Sequence, residues 1–372
     1  QHGFDTWVGS ENSYRRCYSD PARLATLSEY SDFLLDNGFV PDAENLGQPV
    51  FSRHMEASMA EGFTKACYLG DRAAEYIRAH RDEPFALCVS YLEPHPPHTG
   101  PLNQLYDPAS LPRGPAFRQR PGEDVPLLVR LMAAIYAESE EYGCDLRTEA
   151  GWLEVMARYW GNTTLVDRSV QKILTALDEC GLAQDTVVVF TSDHGEQMGD
   201  HGILGKTVMY EESVRVPLLL RAPMLQTQAH RIEGNFSHID LVPTVLDLLG
   251  VVAPDALQGE SRVPVLRGDA DLAENDVFIE WNGTDGHPPA SIGEAEINRS
   301  MAQPTRTVIS AQRWKLNLYG SGPGELYDLN TDPHEQRNLY GQPAQQGRLR
   351  DLAGRLRVWQ QEVGDTVELP TL

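Results

Sequence analysis

Residues 191–202 read TSDHGEQMGDHG and place Asp-His twice in one short loop, at Asp193-His194 and at Asp200-His201. Carboxylate oxygens and imidazole nitrogens are donors for divalent metals, so either pair could hold one. A bare Asp-His also fits a loop aspartate capping a turn beside a surface histidine, and the dipeptide alone does not choose between the two. Lys206 follows in the same loop, among Gly195, Gly199, Gly202 and Gly205. A compact ammonium suits a tetrahedral oxyanion. Upstream, SYLEPHPPHTGP carries His95 and His98, and Pro94, Pro96 and Pro97 restrict the backbone around His95 as a positioned histidine requires.

These side chains need elements to hold them. TVVVF (Thr186–Phe190) is a β-branched run without polar alternation, which reads as a strand buried on both faces. Before it, Val166, Val170, Ile173, Leu174 and Leu177 recur at helical spacing, and Gly181 ends that helix. A helix feeding a buried strand predicts an α/β fold with a largely parallel central sheet between helices. FALCVSYL and VPLLLRAP read as further buried strands. Asp193-His194 then stands just past a strand's carboxyl end, where parallel sheets bind ligands and side chains are held firmly. Asp200-His201 lies farther into the glycine loop and is the weaker ligand candidate. After about Gly268, RTVIS, WKLNLY and ELYDL read as short strands, and Leu349, Leu352, Leu356, Trp359 and Val363 as one face of a closing helix. The expected division is 1–268 and 269–372, the second part a small antiparallel sheet plus helix. Residues 110–160 read as an excursion.

Composition narrows the function. The chain of 372 residues carries a formal charge of −23, which argues against nucleic acid as a partner. Any anionic substrate must be captured by local cations against that field. No apolar run approaches the ~20 residues that span a bilayer. DLVPTVLDLLGVV from Asp240, broken by Pro243 and Asp247, reads as a core helix. Five cysteines without a CxxC form neither a zinc site nor a disulfide framework. The compartment stays open.

The run VVVFTSDHGEQMGDHGILGK resembles the sulfatase branch of the alkaline phosphatase superfamily, the type I or arylsulfatase-like sulfatases. YWGNTTLVDRSVQKILTALDECGLAQDT before it is similar to family segments, as are YEESVRVPLLLRAP and HIDLVPTVLDLLG after it. SYLEPHPPHTGP and the tail WKLNLYGSGPGELYDLNTDPHEQRNL extend the likeness over most of the chain from Phe85 onward. The resemblance implies an alkaline-phosphatase-like fold and hydrolysis of a small-molecule or glycan sulfate ester. It implies Asp193 and His194 as ligands of Ca²⁺ or another divalent metal, Lys206 on the sulfate oxygens, and His95 at the bridging oxygen.

Other parts of the family pattern are missing. Its acidic metal-ligand pair and the Cys/Ser-x-Pro-x-Arg motif that yields the formylglycine nucleophile precede a Gly-Phe-Asp segment. Here Gly3-Phe4-Asp5 stand almost first, so these parts are expected upstream of Gln1. Ser19-Asp20-Pro21-Ala22-Arg23 fits the motif literally but lies in the wrong order and reads as a surface turn. A phosphonate monoester or phosphodiester hydrolase shares the same constellation, and a non-catalytic protein that binds sulfated ligands is the reading of another class. IEWNGTDGHPP, with Trp281 and His287, reads equally as pocket wall or ordinary loop.

Overall fold

A computed structural model describes residues 3–10, 27–45, 48–225, 230–283, 299–320 and 322–370. Ser19 and His287 lie outside the described residues. The chain divides into two compact units, 1–112 with 140–186, and 113–139 with 187–372.

The first unit is built on two helices, α1 (Lys65–Ala79) and α2 (Glu149–Glu179). Each starts at a threonine whose hydroxyl accepts a backbone amide, Thr64 from Cys67 at 3.3 Å and Thr148 from Gly151 at 3.1 Å. Such caps satisfy one orphan donor apiece and are worth about 1 kcal/mol. Ala66, Leu69, Ala73 and Ile77 line the buried side of α1, spaced so that they share one face. Ser169 of α2 donates to the Ala66 carbonyl at 2.5 Å and tethers the two helices. The helix expected around Val166–Leu177 thus extends back to Glu149, so the last twelve residues of the excursion read at 110–160 are helix.

Phe85–Leu92 departs from expectation. It joins no ladder among the described residues, and Leu87 and Leu92 are exposed. An apolar run records that both faces could be buried, but a strand also needs a neighbouring backbone, which the run does not encode.

The second unit holds the other two runs as strands, β1 (Val188–Thr191) and β2 (Leu218–Arg221). They pair antiparallel, with Phe190 opposite Leu219. The four sheets found among the described residues pair antiparallel. β-branched composition reports burial, not the direction of the partner strand. Phe190 and Leu219 are 37% and 65% exposed, so one face of this ribbon lies bare. α3 (Glu211–Val214) is a single turn just before β2, and α4 (Leu241–Leu248) follows it. α4 buries Pro243 and Thr244 but leaves Val242 exposed, so it is covered on one side only, where a core helix was expected.

The C-terminal part follows its sequence closely. β3 (Val277–Trp281), β4 (Thr305–Ile309), β5 (Trp314–Tyr319) and β6 (Glu325–Asp328) form an antiparallel sheet in the order β6-β5-β4-β3. Leu349, Leu352 and Leu356 of α5 (Gln346–Val363) share a core with Val308, Leu316, Leu318 and Leu326. Among the described residues no helix is long and apolar enough to cross a membrane.

Candidate active site

β1 ends at Thr191, and its last hydroxyl donates to the Pro217 carbonyl at 2.9 Å. Two residues on, Asp193 Oδ1 accepts the His194 amide at 2.9 Å, which fixes the carboxylate beside its neighbour. His194 Nδ1 lies 2.9 Å from the Gly195 carbonyl. A carbonyl only accepts, so Nδ1 carries the proton and Nε2 keeps a lone pair for a metal or a proton. That Nε2 is 3.5 Å from Asp193 Oδ2, and the two side chains are 39% and 82% exposed. An oxygen and a nitrogen donor therefore stand side by side facing outward. They fit two positions in the sphere of a divalent ion. Among the described residues no group of three or more His, Cys, Asp or Glu side chains could hold a metal.

The glycine loop then folds back on itself. The Gln197 amide donates to the Gly205 carbonyl at 2.9 Å, and the Gly199 amide to the Ile203 carbonyl at 2.9 Å. This return brings Lys206 within electrostatic reach of Glu196, beside His194. Burial raises the Glu196 carboxyl above its ordinary value, and the charges of Lys206 and His194 oppose that rise. Thr207, immediately after Lys206, has φ +91°. A β-branched residue in that region is strained and persists only when its surroundings over-determine it. Gly195 shows the same tightness. A Cβ there would stand 2.0 Å from the Glu212 carbonyl oxygen of α3. Gly195→Ala is therefore expected to shift the loop and cost about 1–3 kcal/mol, read as a lower urea midpoint at unchanged slope.

Asp200-His201, the second pair, is interior. His201 is 4% exposed and stacks on Tyr210 with ring centroids 3.7 Å apart. Burial pulls its ring down to about 4, so it stays neutral. Burial, and then the nearby Glu212 carboxylate, raises Asp200 to about 6. A raised carboxyl binds its proton more tightly folded than unfolded. Its stabilising effect is present at low pH and lost as pH climbs through about 6. Asp200→Asn should therefore gain about 1 kcal/mol over wild type near pH 8 and nothing near pH 4, after allowance for partial exposure. Urea titrations at the two pH values check this.

His95 belongs to the first unit. Its amide donates to the Leu92 carbonyl at 3.0 Å, closing a turn, and Nδ1 lies 2.9 Å from the Pro96 carbonyl. As in His194, the acceptor fixes the proton on Nδ1 and makes Nε2 the atom that gains or gives a proton. The half-buried ring borders a cavity of ≈ 40 Å³ that is also lined by Glu56, Lys65 and Glu93. Lys65 and Glu56 pair at 2.9 Å, both almost fully buried. His98 is fully buried, edge-on to Tyr142 and Tyr159. It is packed as core, which separates it from His95.

Glu196, between His194 and Lys206, and His238, whose Nε2 is 2.9 Å from Thr191 Oγ1, were not singled out from the sequence. The acid following Asp-His-Gly signalled the first. No sequence signal pointed to the second, since the contact joins residues far apart in the chain.

A family model described as Sulfatase matches residues 1–251. The chain belongs to the sulfatase family. A second model, N-sulphoglucosamine sulphohydrolase, C-terminal, matches residues 199–362. The multifunctional alkaline phosphatase superfamily protein PehA of Trinickia caryophylli is 31% identical over 80% of this chain and 59% of its own length. The uncharacterized sulfatase YidJ of Escherichia coli K12 is 30% identical over 85% of this chain and 57% of its own length. This member of the sulfatase family thus spans less than two thirds of either relative. Among solved structures, the phosphonate monoester hydrolase SpPMH from Silicibacter pomeroyi superposes with a TM-score of 0.72 at 25% identity, covering 90% of this chain and 69% of that one. The sulfatase chain therefore has an alkaline-phosphatase-like fold.

Proposed function

We propose that the complete protein hydrolyses sulfate monoesters of small molecules or glycans. Asp193 and His194 hold two positions around a divalent metal of the Ca²⁺ type. The remaining ligands and a formylglycine nucleophile come from residues outside these 372. The outward-facing Asp193/His194 pair at the end of β1, with its imidazole oriented by Gly195, carries the reading. The match of the sulfatase model across that loop supports it. Residues 1–268 are the catalytic part in this reading, and 269–372 the C-terminal subdomain.

The chain's own groups have distinct tasks. The bound metal supplies Lewis-acid stabilisation of the sulfate oxygens. Lys206 adds a fixed positive charge to the same oxygens, in a chain whose overall field repels the substrate. His95, protonated at Nε2, gives that proton to the leaving oxygen as the S–O bond breaks, and ends neutral with Nδ1–H still donated to Pro96.

The test uses protein from the whole reading frame, assayed on 4-nitrophenyl sulfate with and without chelator. Turnover that chelator abolishes and Ca²⁺ restores supports the reading. Inertness toward sulfate esters alongside cleavage of phosphonate monoesters or phosphodiesters establishes the second reading instead. That alternative draws on the multifunctional relative and on the phosphonate monoester hydrolase of like fold.

A further inference from the structure

We propose that Glu335, in the turn after β6, is a positioning residue for the Asp193-His194 loop and acts through α3. The loop rests on α3 by main chain and side chain together. The Gly195 amide donates to the Ser213 carbonyl at 2.8 Å, and Gln197 Nε2 donates to Ser213 Oγ at 2.8 Å. Gln197 and Ser213 are 1% and 4% exposed, so water does not compete for these bonds. Together with the close approach of Gly195 to the Glu212 carbonyl, they leave the loop no freedom relative to α3.

α3 is a single turn and cannot hold itself in place. Its anchor comes from the C-terminal sheet. The amide of Glu211, its first residue, donates to Glu335 Oε2 at 2.6 Å. Lys315 Nζ of β5 reaches Glu335 Oε1 at 2.9 Å and Glu211 Oε1 at 3.1 Å. Lys315 and Glu335 have no exposed side-chain surface. His334, one residue before, lies 3.8 Å from Glu212 and adds a second contact to the same turn. Glu335 takes φ +49° to make this approach. A non-glycine residue held in that region is the kind of local cost that persists where surroundings fix it. One carboxylate thus links the charge buried in the C-terminal sheet to the turn on which Gly195 lies.

The link to metal binding rests on Asp193 and His194 being ligands, so the experiment keeps the two questions apart. Hydrogen exchange is measured on protein from the whole reading frame with Glu335→Met, Glu335→Asp and Glu335→Gln. Glu335→Met removes the acceptor, and exchange at the Gly195 and Gln197 amides should accelerate by roughly tenfold or more beyond any change in α5 and β4. Glu335→Asp, which keeps the charge but draws it back by one methylene, should give an intermediate acceleration and decides the matter if Glu335→Met does not fold. Glu335→Gln keeps an acceptor for Glu211 and should restore most of the protection. Exchange at Gly195 and Gln197 equal to wild type, or an acceleration spread evenly over α5 and the sheet, overturns the proposal. In the complete protein, calcium titration should show a several-fold weaker Kd for Glu335→Met and loss of binding for Asp193→Ala. Calcium binding unchanged by Asp193→Ala sinks the ligand assignment, and the exchange pattern still decides the role of Glu335.

Discussion

His95→Asn should lower kcat of the complete protein by about 10²–10⁴ on an alkyl sulfate, the span typical of losing a general acid. The loss should shrink on 4-nitrophenyl sulfate, because nitrophenolate departs without needing a proton. The expectation comes from the Pro96 carbonyl 2.9 Å from Nδ1, which leaves Nε2 as the proton-transferring atom. Asparagine keeps a polar side chain of similar reach but has no proton to release. Metal content should not change, since Asp193 and His194 lie on a different segment. The check is kcat for the two esters beside metal content for wild type and variant. Equal losses on both esters would falsify the acid role and leave His95 as a binding group. The same substitution at His98 should act on stability instead, because that ring is enclosed by Tyr142 and Tyr159.

What the sequence disclosed and what it hid divide along physical lines. Local patterns carried through. The spacing of Leu349, Leu352 and Leu356 gave α5, and the run WKLNLY gave β5, because one buried face is written into consecutive residues. Asp193-His194 stood out because two donor side chains are adjacent just past a β-branched strand. Pairing direction was not legible. VVVF and LLLR say that their faces are apolar, yet nothing in either run says that Phe190 meets Leu219 antiparallel. Nor could the run at 85–92 show whether a neighbouring backbone lies beside it. Long-range polar partners were also hidden. Nothing in WKLNLY or TDPHEQ marks Lys315 or Glu335 as buried, and only the fold shows them fully buried against one another. The two Asp-His pairs show both sides. Their order relative to the strand ranked Asp193-His194 as the better ligand candidate, whereas the burial of His201 against Tyr210 could not be read from the loop.

Lys315→Met should be the most destabilising single change in the C-terminal part, at about 3–5 kcal/mol, the range seen when one partner of a buried ion pair is removed. Burial pulls the Lys315 amine down, but Glu335 and Glu211 outweigh it and hold the amine above its ordinary value. Burial also pushes the Glu335 carboxyl up to about 8, and Lys315 opposes that rise. Methionine matches the length of the lysine stem and fills its volume, so little of the loss comes from a cavity. It comes from Glu335 and Glu211, whose side chains are 0% and 13% exposed and which would face each other without a counter-ion. The pH dependence separates this cause from packing. Uncompensated carboxylates bind protons more tightly folded than unfolded, so the variant's deficit should be largest near pH 8 and should shrink toward pH 5 as they are neutralised. Lys315→Met combined with Glu335→Gln should recover a large part of the loss, because one of the two stranded charges is gone, and the double variant should fall short of additivity. Urea midpoints at the two pH values, with slopes compared to wild type, provide the measurement. A deficit below about 1 kcal/mol, or one that does not change with pH, would mean that water or a local rearrangement satisfies the carboxylates and that the cluster is not the closed charge network its distances describe.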